Sequence, residues 1–129
     1  RQSIAALPKS GVDLDRIKQL QAILEYHEAK ILAENGNSTQ ALEQLMRAST
    51  QLNALADVRP EVTILRSELA QCYLSSAEIL EGMGQMGDAR ETRVLAVNEL
   101  VSLLKNKPKD FNLRLELAST YAAMADSSM

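Results

Sequence analysis

The sequence matches itself when shifted by 48 positions, and that self-match limits the possible folds more than any single motif. Leu65-Arg66-Ser67-Glu68-Leu69-Ala70 falls on Leu113-Arg114-Leu115-Glu116-Leu117-Ala118, Tyr73 on Tyr121, Ala77 on Ala125, and Pro60 on Pro108. In the other direction Gly84 falls on Gly36, Ala89 on Ala41, Ala96 on Ala48, Leu100 on Leu52 and Leu103 on Leu55. A fixed period of this size marks a stacked array, in which one unit leaves an apolar face wet and the next unit covers it.

The units read as helices. Asp13 offers an N-cap, and Ile17, Leu20, Leu24 and Ile31 follow at helical spacing, predicting a first helix over 14–35. Asn35-Gly36 can close it in the left-handed conformation, and Asn37-Ser38 can open the next. Ala41, Leu42, Leu45, Ala48, Leu52 and Leu55 form one stripe over 39–56, which must stop before Pro60. A third helix over 61–83 carries Val62, Leu65, Leu69, Cys72, Ser76, Ile79 and Met83 on one seam and Tyr73, Ala77 and Leu80 on the next. Two seams mean two packing partners. Gly82, Gly84 and Gly87 end that helix, Asp88 is placed to cap a fourth over 88–106, and Pro108 separates it from a fifth running to the end. No stretch alternates with a period of two. The expected fold is all-α: antiparallel hairpins stacked as an α-solenoid of about five helices, with a leader at 1–13 and units at 14–59, 60–107 and 108–129. Helix five should pack on both helices of the second pair.

Composition narrows the function. Apolar residues make up 46% and charged residues 24% of the chain, a globular balance. The net charge of −3 argues against a nucleic-acid partner, and Lys105, Lys107 and Lys109 read as a solvated turn. No apolar run approaches the length of a membrane span. One cysteine allows no internal disulfide and fits a reducing, cytoplasmic setting. The chain opens on Arg1, not Met, so a piece of a longer protein is expected.

Motifs that look like chemistry fail on context. Gly82-Met83-Gly84-Gln85-Met86-Gly87 spells G-x-G-x-x-G, but a helix precedes it where a dinucleotide site needs a strand. His27-Glu28-Ala29-Lys30-Ile31 begins like a zinc motif, yet Ile31 takes the second ligand position and no other histidine exists. Cys72 lies on an apolar seam with no base beside it, which predicts buried filler. Glu25/Glu28 and Glu78/Glu81 read as solvated pairs one turn apart. Neither a catalytic residue, a cofactor nor a metal is expected.

A family resemblance can now be stated. Gly36, Ala41 and Ala48, repeated as Gly84, Ala89 and Ala96, resemble the turn and second helix of a tetratricopeptide repeat. Tyr73, Ala77 and Leu80 look like the aromatic, small and large positions of its first helix, with Tyr121 and Ala125 matching. The resemblance spans about 14–127. It departs in its period of 48 against the usual roughly 34. Arg93 also stands where a bulky apolar residue is usual, and Glu25 where an aromatic is. The long period, the proline start and the Leu-Arg-x-Glu-Leu-Ala opening resemble arrays that follow the kinase domain of some large bacterial serine/threonine protein kinases.

The resemblance implies a scaffold that binds a peptide or partner helix along its first helices. That puts Gln71, Leu74, Glu78 and Glu81 in the groove, with Ile23, Tyr26 and Lys30 from the first unit and Ser119, Ala122 and Asp126 from the third. It also implies that helix five lacks its second helix, so self-association through that end is expected. The competing reading is a helical-bundle enzyme or small-ligand sensor, which would place titratable residues on the inward seams. These seams are almost wholly apolar.

Overall fold

The computed structural model describes the backbone of residues 11–127 and the side chains of 13–125. Five helices follow one another: α1 (Gly11–Glu34), α2 (Ser38–Val58), α3 (Thr63–Gly82), α4 (Met86–Asn106) and α5 (Phe111–Ser127). There is no strand among the described residues. The main contacts are α1 with α2, α2 with α3, α3 with α4 and α4 with α5, an all-α stack of antiparallel neighbours.

Two turn chemistries alternate. Gly36 and Gly84 adopt φ of 87° and 83°, which a side chain resists. With that geometry Asn37 N–H donates to Leu32 O at 2.8 Å and Gln85 N–H to Leu80 O at 2.9 Å, satisfying carbonyls that a helix end leaves orphaned. These glycine turns fold α1 onto α2 and α3 onto α4. The other two connections place Pro60 and Pro108 second in four-residue turns, closed by Val62 N–H to Arg59 O at 3.0 Å and Asp110 N–H to Lys107 O at 3.1 Å.

The caps differ from expectation. Helix α1 begins at Gly11, so Asp13 sits in its first turn rather than at the cap, where its charge meets the positive end of the helix dipole. Helix α4 begins at Met86, with Gln85 at the cap position and Asp88 in the first turn. Asn37 holds the cap position of α2 without a side-chain bond. A side-chain cap does form at the start of α5, where Asp110 Oδ1 accepts from Leu113 N–H at 3.1 Å.

The core is built as the small residues require. Ala22, Ala29, Ala41 and Ala48 are fully buried and let α1 and α2 approach closely, with Leu45, Leu52, Leu55, Leu65, Leu69 and Cys72 filling the centre. Ala77, Ala89, Ala96, Leu100 and Leu103 do the same for α3 and α4. Each such leucine contributes about 1.5–3 kcal/mol on burial.

Three expectations about packing fail. The Ile17, Leu20, Leu24 and Ile31 stripe is not the face of α1 that packs: with Leu14, these residues are 39, 50, 59, 58 and 44% accessible, respectively. Helix α2 covers the neighbouring seam of Ala22, Tyr26, Ala29 and Ala33 instead. Met83, assigned to the α3 seam, is exposed at the turn. Helix α5 packs mainly on α4, with a Gln71–Glu116 hydrogen bond to α3, and Ala125 and Tyr121 stay exposed while Ala77 is buried and Tyr73 half-buried.

Candidate functional site: the face of α1, α3 and α5

Helices α1, α3 and α5 are tied by polar bonds. Gln19 Nε2 donates to Glu68 Oε1 at 3.2 Å, and the Ser75 hydroxyl to the Tyr26 phenol oxygen at 3.4 Å, joining α1 to α3. Gln71 Nε2 donates to Glu116 Oε1 at 2.6 Å and joins α3 to α5. Glu68 and Glu116 are the same position of the self-match, so a carboxylate recurs where the preceding first helix supplies an amide.

Of the cavities among the described residues, a larger and a smaller one hold candidate residues of this face. The larger, about 490 Å³, is lined by Leu74 and Glu78 of α3, Arg93 of α4, and Asn112, Leu115, Glu116, Ser119, Thr120 and Ala123 of α5. The smaller, about 110 Å³, lies between α1 and α3 and is lined by Ile23, Tyr26, His27, Gln71 and Cys72, with Leu52 and Glu68. The structure therefore brings Leu74, Glu78 and Ser119 together at one cavity and Ile23, Tyr26 and Gln71 at another. Lys30 is exposed, its ammonium 5.4 Å from the Tyr26 ring centre. Ala122 is exposed and lines neither cavity. Asp126 lies outside the described side chains.

Glu81 has a different role from the other acids of this face. Both its oxygens accept from Arg93, Nη1 to Oε2 and Nη2 to Oε1, each at 3.2 Å. Arg93 is only 4% exposed, at the position where the self-match puts Leu45 in the first unit. A guanidinium can be buried there because a forked carboxylate meets it. Glu25 pairs with Arg47 of α2 at 3.2 Å.

The electrostatics do not favour a nucleophile. Burial pushes the Cys72 thiol up to about 12, against a hydrogen bond with Ser49 that lowers it, and the nearby Glu68 charge raises it further. The Glu68 carboxyl is also raised by burial, partly offset by the Gln19 hydrogen bond and Arg16. Tyr73 is raised by burial first and by Glu99 second. His27 is exposed and stacks edge-on against Tyr26, ring centres 5.2 Å apart. Among the described residues no three His, Cys, Asp or Glu side chains gather as they would around a metal. No described helix is long and apolar enough to cross a membrane.

The G-x-G-x-x-G string lies across the α3–α4 turn, with helix on both sides. The Gln71–Glu116 rung and the Arg93–Glu81 fork were not anticipated as pairs. Their signals were present, in the recurring Glu of Leu-Arg-x-Glu-Leu-Ala and in one arginine on a leucine position. No family model, curated protein or solved structure matches the chain.

Proposed function

We propose that this chain is an interaction module of the tetratricopeptide type, without catalytic role or cofactor, that binds a peptide or partner helix on the face of α1, α3 and α5. The observation that carries this is the 490 Å³ cavity at which Leu74, Glu78 and Ser119 meet. Apolar walls from Leu74, Leu115 and Ala123 stand beside the Glu78 and Glu116 carboxylates, while Glu81 already neutralises Arg93. Such a lining favours an apolar side chain next to a basic one, as on an extended basic peptide or the edge of an amphipathic helix.

The sequence resemblance supports a setting in a larger cytoplasmic bacterial signalling protein, of the kind that carries a serine/threonine kinase domain. The exposed Phe111, Leu115 and Tyr121 of α5 support self-association at that end. Light scattering at rising concentration tests the latter, and a strict monomer refutes it. The groove is tested by screening peptides from the parent protein and its neighbours, read with Tyr26→Ala and Glu78→Lys. A partner whose affinity neither change alters binds elsewhere.

A further inference from the structure

A further cleft, of about 390 Å³, is built from α2, α3 and α4 and shares no lining residue with the cavities of the α1, α3 and α5 face. That volume lies within the roughly 300–1,000 Å³ of small-molecule sites. Leu42 and Met46 of α2, Tyr73 and Leu80 of α3 and Leu95 of α4 give it apolar surface. Between them stand Ser49, Thr50, Asn53, Ser76 and Thr92. No residue of this lining carries a formal charge, whereas the larger cavity of the other face holds Glu78, Arg93 and Glu116, and the smaller holds Glu68. The charges at the Asn53 end are paired with one another, Arg66 with Asp57 at 3.0 Å and with Glu99 at 3.3 Å.

The polar atoms of the cleft are sorted by the bonds they already make. Ser49 Oγ donates to Leu45 O at 2.7 Å, Thr50 Oγ1 to Met46 O at 2.9 Å, and Thr92 Oγ1 to Asp88 O at 2.8 Å. A hydroxyl has one hydrogen, so these three oxygens offer lone pairs only. Asn53 is the complement: its side-chain oxygen accepts from Arg66 at 3.4 Å, and its N–H groups are left to donate. The Tyr73 phenol is a second donor. Packing does not demand this polarity, because the 48-residue self-match sets Ser49 and Asn53 against Val97 and Val101 of α4.

We propose that this cleft binds a neutral, largely apolar small molecule that carries an N–H or O–H donor for Thr50 or Thr92 and an acceptor for Tyr73 or Asn53. An ion would give up part of its hydration against walls that hold no counter-charge. A bare hydrocarbon would leave the wall oxygens without partners. The lining carries this independently of the groove.

The probes are three compounds of nearly one shape: indole-3-acetamide, which is neutral, indole-3-acetate, an anion, and tryptamine, a cation. Each is titrated into the full isotope-labelled chain and followed by amide chemical shifts in NMR, which locate the ligand as well as measure its affinity. The amide is expected to bind saturably, with Kd on the order of 1 mM for so small a molecule. Its shifts should centre on α2, α3 and α4 around Asn53, Tyr73 and Thr92. The two ions should bind at least about fivefold more weakly. Thr92→Val keeps the side-chain shape, removes the acceptor, and should weaken the amide by about two- to tenfold. Thr50→Val, at an exposed position, repeats that reading on the opposite wall, and both variants should keep the parent circular dichroism. Glu78→Lys, in the groove, should change nothing. The proposal is overturned if the amide does not saturate, if all three compounds bind alike, or if neither threonine change alters affinity. Shifts that centre on the α1, α3 and α5 face, or binding lost on Glu78→Lys, also overturn it.

Discussion

The ion pair of Arg93 with Glu81 invites an experiment whose design the chain supplies. The self-match places Leu45 at the position of Arg93 and Ala33 at that of Glu81, so the first unit solves with a leucine and an alanine what the second solves with a fork of charges. The Arg93 side chain is 5% accessible and that of Glu81 38%, so the two partners suffer unequally when left alone. Glu81→Ala strands a buried guanidinium. Breaking a buried pair in this way costs about 3–5 kcal/mol, and we expect about 2–3 because water reaches the Glu81 side. Arg93→Leu leaves a carboxylate that can turn to solvent, for a change of about 1 kcal/mol or less. The double variant restores the arrangement of the first unit and should lie between neutral and about 2 kcal/mol more stable than the parent, as apolar replacements of buried pairs do. With Arg93→Leu costing between zero and about 1 kcal/mol, the coupling in the cycle is then about 2–6 kcal/mol. Urea unfolding at pH 7 followed by circular dichroism reads all four proteins, with equal slopes required for the comparison. If Glu81→Ala matches the parent within about 0.5 kcal/mol, the guanidinium was not relying on its partner. If the double variant is no more stable than Glu81→Ala, the site does not accept the chemistry of the first unit.

Further outcomes can be measured on the same protein. Cys72, buried and pushed up to about 12, should resist iodoacetamide at pH 8 in the native state and react only as urea exposes it, which mass spectrometry follows. Glu68 has a folded pKa raised by burial above its ordinary 4.5, so its ionisation opposes folding as pH rises through that window, and below it both states are protonated. Glu68→Gln should therefore raise the melting temperature at pH 7 and lose that advantage below about pH 4, while an advantage that persists in acid would refute the assignment. Gly84→Ala meets no atom within 4 Å but must adopt φ of 83°, at a cost of about 1–2 kcal/mol. Gly87→Ala, inside the first turn of α4, should instead gain about 0.5–1 kcal/mol. Opposite shifts in melting temperature check the pair.

Those two glycines show where the sequence was legible and where it was not. Composition marks both as breakers, and the self-match of Gly84 with Gly36 is what points to the one that carries the positive φ. Helix number, connections and the α2 stripe were legible, since Ala41, Leu45, Ala48, Leu52 and Leu55 lie on one face and all are buried. Helix α1 was misread because it has two apolar seams, and periodicity weights bulk: Ile17, Leu20, Leu24 and Ile31 outrank Ala22 and Ala29 on any hydropathy scale. Packing selects by shape. In a hairpin closed by a three-residue turn the backbones must approach closely, and only the alanine seam allows it, so the bulkier residues are turned outward. The candidate face was legible in the same partial way. Residue positions followed from the shift, but Glu81 was withdrawn from the groove by Arg93, a partner twelve residues ahead on another helix. A seam assigned by bulk should therefore be checked against its shifted equivalents. In the self-match Leu24 falls on Cys72 and Ala29 on Ala77, so the bulky seam and the alanine seam of α1 correspond to different faces of α3.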